Sequence, residues 1–283
     1  MLRLRTAIST ILVALSPAIV SLSGLPAYAQ ARLEAQYGIT MTGVPIGNVV
    51  WHVEIGNNFY ATSANGKASR VLSVLISGEG SLSTSGKIEN GQMAPTYFSS
   101  SIFDEDGKTE IQVIFSAGIS KELVIQEPPR KHKLMPLDNA DRRGVIDPLS
   151  AMLLISASDD AMEPANCNRI LPIFDGRRRY NLVLTYKRID NVKNEHGYSV
   201  PVLVCGAILQ PIGGYRADSM IVRYVAGKSD IELWFAPITG TSVMAPIQMI
   251  VPTLIGTLKI QAVQFEAVAL STLDFPRPSA SPR

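Results

Sequence analysis

Cysteine, histidine and tryptophan are scarce in this sequence, which has 2 Cys, 3 His and 2 Trp among 283 residues. So few cysteines exclude a miniature scaffold that is held together mainly by disulfides. The composition is 46% hydrophobic and 18% charged, which is ordinary for a globular protein with a real core. Disordered and collagen-like chains are therefore excluded as well.

An excess of charge is also missing. The formal net charge of +2 comes from Arg3 and Arg5, the only charged residues among the first 29, so the rest of the chain is neutral overall. A neutral chain exerts no long-range attraction on a polyanion, and we therefore expect no nucleic-acid partner.

Catalytic signatures are missing too. The sequence contains no G-x-S-x-G elbow, no Walker loop, no dinucleotide glycine fingerprint and no H-E-x-x-H motif. Of the three histidines, we expect His52 and His132 to face solvent and His196 to lie at a hairpin tip. We therefore predict no catalytic residue, no metal ligand and no cofactor, and a hydrolase with an unrecognised site stays open as an alternative.

The first 29 residues predict export. Arg3 and Arg5 precede an apolar stretch at residues 7–25, which is followed by Pro-Ala-Tyr-Ala at residues 26–29, a small-x-small pattern. This order is typical of a secretory signal peptide, so we expect cleavage after Ala29 and a periplasmic protein that begins at Gln30. An uncleaved membrane anchor is the alternative, and the prolines and glycine within the stretch disfavour it.

One further stretch, residues 233–258, carries no charge and is long enough to consider as a membrane span. Pro237, Pro246 and Pro252 would break a helix there and leave backbone groups unpaired in lipid. We therefore predict no transmembrane span after signal cleavage. Envelope proteins or lipid are the candidate partners.

Alternation of apolar and polar residues is abundant, and it indicates β-strands. The clearest case is a hairpin whose two strands are joined at residues 43–47. Further strands are predicted at residues 59–64, 81–84, 96–103, 108–115, 121–126, 170–174, 179–188, 200–209, 219–225, 231–235, 246–251 and 257–266. We expect a mainly β fold of one domain over residues 30–270, in which a curved antiparallel sheet forms an open or incomplete barrel or β-spiral.

One short helix is predicted near residues 147–157, because Asp147 can cap it and Pro148 fits the first helical position. A second helix at residues 68–76 is an alternative to a strand there. Residues 127–144 are expected to form a long exposed connection. The tail at residues 271–283 is rich in Pro and Ser, and we expect it to be disordered.

The first hairpin and the last strand are expected to contribute the concave face of the sheet. The side chains predicted to point inward are Tyr37, Ile39, Met41, Val49, Trp51, Val53, Leu258, Ile260, Ala262 and Val263 to Phe265. The first and last strands are therefore expected to approach each other. We expect the sheet to stay partly open, because Pro and Gly at residues 236–256 interrupt strand pairing.

Cys167 and Cys205 are the only two cysteines in the sequence. In an exported protein, one even pair is expected to form a disulfide. On the chain-entropy model, closing a loop of this length stabilises the fold by about 4 kcal/mol. Free thiols or metal ligands are the alternative, which the absence of a nearby His pair disfavours.

Three consecutive arginines, Arg177, Arg178 and Arg179, follow a turn at Asp175 and Gly176. Guanidinium groups bind phosphate in forked pairs, so an anionic headgroup is one ligand to consider. Consecutive strand residues point to opposite faces, however, and three of them cannot all meet one ligand. A charged flank of the turn is the favoured interpretation.

Four segments carry a resemblance to a known family. They are Asp-Pro-Leu-Ser at residues 147–150, Phe-Asp-Gly-Arg-Arg-Arg-Tyr at 174–180, Cys205, and Pro-Ile-Gly-Gly-Tyr at 211–215. These segments resemble the recurring blocks of the exported proteobacterial domain-of-unknown-function family numbered 3108, over roughly residues 37–265. The resemblance implies a periplasmic, β-rich protein and carries over no catalytic residue. In broad features the protein is also similar to envelope-integrity β-spiral proteins of alphaproteobacteria.

Together these features favour a non-catalytic periplasmic protein that scaffolds or binds cell-envelope components. The alternative is a carrier or sensor of a lipid or other apolar ligand, held in the concave face of the sheet. A deep apolar cavity would favour the carrier, and a polar cleft that joins His, Ser and Asp would favour the hydrolase. A filled interior would favour the scaffold.

Overall fold

The computed structural model describes residues 30–68, 78–104, 107–129, 133–193, 199–226, 228 and 230–270. Within these ranges the chain forms fourteen strands, two α-helices and one 3-10 helix. The strands are β1 (Gln30–Met41), β2 (Val44–Ile55), β3 (Phe59–Ala68), β4 (Glu79–Glu89), β5 (Gln92–Asp104), β6 (Gly107–Ser116), β7 (Ile119–Gln126), β8 (Leu154–Ile155), β9 (Arg169–Phe174), β10 (Arg179–Lys193), β11 (Ser199–Gly213), β12 (Ile231–Pro237), β13 (Val243–Thr253) and β14 (Gly256–Leu270). The helices are α1 (Pro148–Ala151), the 3-10 helix (Pro164–Cys167) and α2 (Met220–Ala226).

The strands form one antiparallel sheet in the order β7-β6-β5-β4-β3-β2-β1-β14-β13-β12-β11-β10-β9, with β8 beside β13. Within β1–β7 and within β9–β14, neighbours in the sequence are neighbours in the sheet, and in addition β1 pairs with β14. The predicted mainly β, antiparallel fold is therefore confirmed, and the first and last strands lie side by side. The edge strands β7 and β9 do not pair with each other, so the sheet stays open. The predicted interruption at residues 236–256 is wrong, because β12, β13 and β14 pair across this stretch.

The interior of the curved sheet is filled. Leu33 and Val53, which alternate with polar residues on β1 and β2, are fully buried. Leu149 in α1 and Leu153, two residues after α1, pack in the same cluster as these strands. Leu154 in β8 packs in a second cluster, to which the strands from β9 to β13 contribute most of the side chains. The residues from α1 to β8 thus contact both halves of the core. Burial of apolar side chains on this scale is the main term that stabilises the fold.

Most of the side chains predicted to point inward are buried or partly buried. Tyr37 is buried, and its hydroxyl donates to the Pro246 carbonyl at 2.7 Å. The partly buried ones are Ile39, Met41, Val49, Leu258, Ile260, Ala262 and Phe265. For Val263 the prediction is wrong, because this side chain is 69% exposed. The β1–β14 register shifts between Gln36 and Tyr37, so Val263 is the extra residue of a β-bulge and the alternation restarts after it.

The helices differ from the prediction in two places. Helix α1 has only four residues, and part of the helix predicted near residues 147–157 forms β8 instead. The strand predicted at residues 219–225 is wrong, because α2 occupies this stretch. Its β-branched residues favour a strand, but the Ser219 hydroxyl accepts a hydrogen bond from the Val222 N–H at 3.3 Å and supports a first helical turn.

Three predictions concern parts of the chain outside the described residues. These are the leader at residues 1–29, the tail at 271–283 and, apart from Ala68 at the end of β3, the alternative helix at 68–76. In the described part, neither α1 nor α2 combines the length and the hydrophobicity that a transmembrane helix needs.

Candidate functional site

The connection between β7 and β9 crosses the open side of the sheet. Its residues 142–146, here named the seam segment, are hydrogen-bonded to both edge strands. On one side the Arg142 carbonyl accepts from the Ser120 N–H at 3.0 Å. On the other side the Ile146 N–H donates to the Pro172 carbonyl at 2.9 Å, and the Ile146 carbonyl accepts a second bond from β9. The expected exposed connection is therefore partly a bridge between the two edges.

Asp147 fixes the end of the seam segment in the interior. Its fully buried carboxylate accepts from the backbone N–H groups of Leu149 at 2.9 Å and Ser150 at 3.0 Å, as the predicted helix cap requires. It also accepts from the hydroxyls of Thr84, at 2.9 Å, and Ser150. The Tyr60 hydroxyl in turn lies 2.5 Å from the Ser150 hydroxyl. This network ties α1 to β3 and β4.

The same network perturbs two ionisable groups. Burial raises the pKa of Asp147, although the hydrogen bonds from Ser150 and Thr84 oppose the increase. Burial also raises the pKa of Tyr60, and the nearby charge of Asp147 adds to the effect. Both carboxylate oxygens already accept two hydrogen bonds each. We therefore interpret the network as structural support for α1 and the seam segment.

The three arginines after β9 are engaged separately. Arg177 pairs with Glu127 at 3.1 Å, and Arg178 lies 3.6 Å from the Asp175 carboxylate. The Arg179 guanidinium donates to oxygen atoms of the next two residues, at 2.6 and 2.8 Å. Because the partners differ, the arginines do not converge on one anion. This arrangement agrees with the interpretation as a charged flank of the turn.

The arginine turn packs tightly against residues 211–215. Gly214 has a φ of +79°, and a Cβ atom there would lie 1.8 Å from the Arg177 carbonyl oxygen. Gly176 has a φ of +91°, and its Cβ would lie 2.4 Å from the Ile111 side chain on β6. Only glycine fits these positions. Two of the recurring sequence blocks thus meet at the open side of the sheet.

A cleft of about 760 Å³ lies beside the seam segment. The β4–β5 hairpin and the β6–β7 turn form one side, and β9 forms the other. Residues of the seam segment, α1 and β8 also line the cleft. Apolar side chains such as Met93, Phe115 and Leu154 alternate with polar groups along its walls. The cleft therefore lies between the edge strand β9 and the turns that end the β4–β5 and β6–β7 hairpins.

The β9 wall of the cleft has a free backbone side. The backbone hydrogen bonds between the seam segment and β9 are made at Pro172 and Phe174. Alternate residues of a strand direct their N–H and C=O groups to the same side, so the backbone groups of Ile170 also face the cleft. In the described part of the chain, no strand or bridge pairs with this side of residues 169–171. The Ile170 side chain is 59% exposed.

Arg169 places a cation in the same wall. Its guanidinium donates to the Ile155 carbonyl at 3.3 Å. Among the described residues, no Asp or Glu forms an ion pair with it. Burial lowers the pKa of Arg169, because the charged form loses hydration that no nearby anion replaces.

Neither the free side of β9 nor the role of Arg169 in the cleft was predicted from the sequence. One signal was available, since Pro172 lies within the predicted strand and proline in a sheet is confined to edges, first positions and bulges. No comparable signal marks Arg169, whose lack of a carboxylate partner depends on residues distant in the sequence.

The histidine predictions have different outcomes. His52 is exposed, as expected, and it lines a shallow groove of about 340 Å³ with Ser63 and Ser83 on the outer face of the sheet. No hydrogen bond joins it to another described residue. His132 and His196 lie outside the described residues.

The described ranges contain no group of three or more His, Cys, Asp or Glu side chains that could hold a metal ion. The two cysteines are joined in a disulfide, with the Cα atoms of Cys167 and Cys205 5.4 Å apart. Both residues are fully buried. The disulfide attaches the 3-10 helix, which immediately precedes β9, to β11 and so supports the wall of the cleft.

Comparison with known proteins gives a family match. The family model described as "Protein of unknown function (DUF3108)" matches residues 36–263, which reach from β1 to β14 and include all four sequence blocks. No curated protein matches the chain. Among solved structures, the chain is similar to the crystal structure of a beta-barrel-like protein of domain of unknown function DUF1849 from Brucella abortus. The sequence identity is 11% and the TM-score 0.44, and the match covers 84% of this chain and 98% of that chain.

Proposed function

The chain belongs to the DUF3108 family, whose function is unknown, and we propose that this member is a non-catalytic protein that binds other components of the cell envelope. The observation that supports the proposal is a filled interior combined with a cleft beside the seam segment. A ligand carrier needs an empty concave space, whereas a cleft at a sheet edge can receive a partner from outside.

We also propose a periplasmic location. Three features support it: Arg3 and Arg5, the apolar residues 7–25 and the small-x-small pattern that ends at Ala29. Mass spectrometry of the native N-terminus tests this proposal, with Gln30 as the expected first residue. An intact Met1 in a membrane fraction would contradict it.

The two alternative functions have less support. An enclosed lipid would have to displace Leu149 and Leu153, which pack in the core. A hydrolase would need a base next to a nucleophile, and His52 has no hydrogen bond to a described serine or carboxylate.

Site-specific crosslinking tests the binding function directly. A photoreactive amino acid at position 170 lies on the cleft wall, and the same amino acid at position 263 is a matched control. Both native side chains are well exposed, at 59% for Ile170 and 69% for Val263, but four strands separate β14 from β9 in the sheet.

We expect crosslinks to one recurrent envelope component from position 170 in intact cells, and few from position 263. Mass spectrometry distinguishes a protein adduct from a lipid adduct. Equal crosslinking from both positions, or none from position 170, would contradict binding at the cleft.

A further inference from the structure

We infer that the cleft receives a short extended segment of a partner polypeptide, which adds a strand to the free side of β9 and places an acidic side chain against Arg169. This inference rests on the proposed binding function and names the chemistry of the partner. It is carried by the backbone geometry of β9 and by the charge of the cleft.

The free side of β9 presents backbone N–H and C=O groups that can form hydrogen bonds with a further strand. The seam segment occupies that side at Pro172 and Phe174, and the groups of Ile170 continue the same row into the cleft. The N–H and C=O groups of Ile170 are a short template for a further strand, whereas a lipid chain cannot bond to them. An extended peptide is therefore the occupant that this wall fits.

The length of the free side limits the segment. The cleft lies next to residues 169–171, and from Pro172 onward the seam segment takes the place of the added strand. The incoming segment therefore pairs over about three residues and ends its pairing at the seam segment. Such a short pairing needs side-chain contacts for specificity, because the main-chain bonds do not distinguish sequences.

The charge of the cleft provides that specificity. Among the described residues, three charged ones line it, and two of them, Lys87 and Glu89, pair with each other at 3.5 Å. Arg169 is the third, and it bonds only to the Ile155 carbonyl among the described groups. Cross-strand neighbours share one face of a sheet, so a residue opposite Arg169 would place its side chain beside the guanidinium. An Asp or Glu there would form the missing charge-assisted hydrogen bonds.

Selection from a defined peptide library tests the inference. Phage-displayed random heptapeptides are selected on the disulfide-bonded protein and, in parallel, on Arg169→Gln and Arg32→Gln. Arg32 is the matched control, because it is an exposed arginine that pairs with Glu54 at 3.3 Å on the outer face.

We expect the selected peptides to alternate β-branched or aromatic residues with polar ones and to share one acidic position. Their affinity should fall about tenfold or more for Arg169→Gln, as the loss of a charged hydrogen-bond partner predicts. It should stay unchanged for Arg32→Gln. Equal affinity for the wild type and Arg169→Gln would overturn the role of Arg169.

A second pair of variants tests the strand addition. Ile170→Pro removes the N–H that faces the cleft but leaves the β9–β10 pairing through the other side of the strand, and Ile170→Val keeps both. A selected peptide with alternate N-methylated residues tests the same bonds in the wild-type protein. We expect Ile170→Pro and the N-methylated peptide to abolish binding.

Retained binding of the N-methylated peptide would overturn strand addition, whatever the folding of the proline variant. A library that yields no peptide specific for the cleft would also overturn the inference. In that case, crosslinks from position 170 to a component other than a polypeptide would still support the proposed binding function.

Discussion

The sheet is joined in two places, and the two joins differ in kind. β1 and β14 pair directly along the whole of β1, from Gln30 opposite Leu270 to Met41 opposite Leu258. β7 and β9 do not touch in this way, and the seam segment connects them through a few hydrogen bonds. Direct pairing satisfies a continuous row of backbone groups, whereas the seam leaves part of β9 free.

The two joins are also expected to respond differently to single substitutions. At the direct join, Leu33 and Val53 are fully buried in a large cluster of apolar side chains, so no single residue holds the join in place. At the seam, the position of the connecting segment depends on Asp147, on glycines without room for a side chain and on the disulfide beside β9. We therefore expect single changes near the seam to have large effects.

The largest expected effect comes from the disulfide. Replacing both Cys167 and Cys205 by Ser should lower the free energy of unfolding by about 4 kcal/mol, because the bridge closes a loop with a sequence separation of 38. Urea unfolding of the double variant and of the wild type measures the difference. Thiol labelling of the unfolded, unreduced wild type is the control, and two reactive thiols would show that the bridge does not form.

The second effect concerns the anchor of the seam segment. Asp147→Ala should cost about 3 kcal/mol, because it removes a helix cap and leaves the buried hydroxyls of Thr84 and Ser150 without their acceptor. Asp147→Asn keeps an amide oxygen for the backbone N–H groups and should cost only about 1 kcal/mol. Thermal or urea unfolding compares the two, and equal losses would argue against the capping role.

Substitutions of two glycines compare the packing near the direct join with the packing near the arginine turn. Gly214 and Gly43 both have positive φ, but only Gly214 has backbone atoms where a Cβ would lie. Gly214→Ala should cost at least about 2 kcal/mol. Gly43→Ala, in the turn between β1 and β2, should cost about 1 kcal/mol from its backbone conformation alone. Similar losses in urea unfolding would mean that the contact between the arginine turn and residues 211–215 is loose.

The smallest effect is a pH dependence away from both joins. Hydrogen bonds from Arg188, at 2.9 Å, hold the pKa of Glu232 at about 2, below its ordinary value of 4.5. A lowered pKa in the folded state means that the pair stabilises the protein above about pH 4.5 and loses this effect as the pH falls toward about 2. Glu232→Gln should therefore flatten the stability curve in this range. Urea unfolding at several pH values checks it, and an unchanged acid slope would show that another carboxylate dominates.

Local sequence patterns predict much of the fold for physical reasons. Period-two alternation fixes which side chains of β1 and β2 can be buried together, and Trp51 and Val53 are buried as predicted. Asp147 caps a helix because a short carboxylate can reach the N–H groups two and three residues ahead.

Other features are decided by contacts that local patterns do not contain. The bulge at Val263 depends on the register with β1, and α2 forms despite a β-branched sequence that favours a strand. In the candidate site, Pro172 was an unused signal for an edge strand, and nothing local indicated the cleft.

Side-chain spacing along one or two segments was enough to predict the β-rich class, the alternation of faces, the cap at Asp147 and the proximity of the first and last strands. Three features required knowledge of the folded chain: the interior is filled, β7 and β9 stay apart, and Arg169 and Ile170 line a cleft beside the seam segment. These features depend on how residues 142–146 cross the open side of the sheet, and a path through space is not encoded in the periodicity of any one segment.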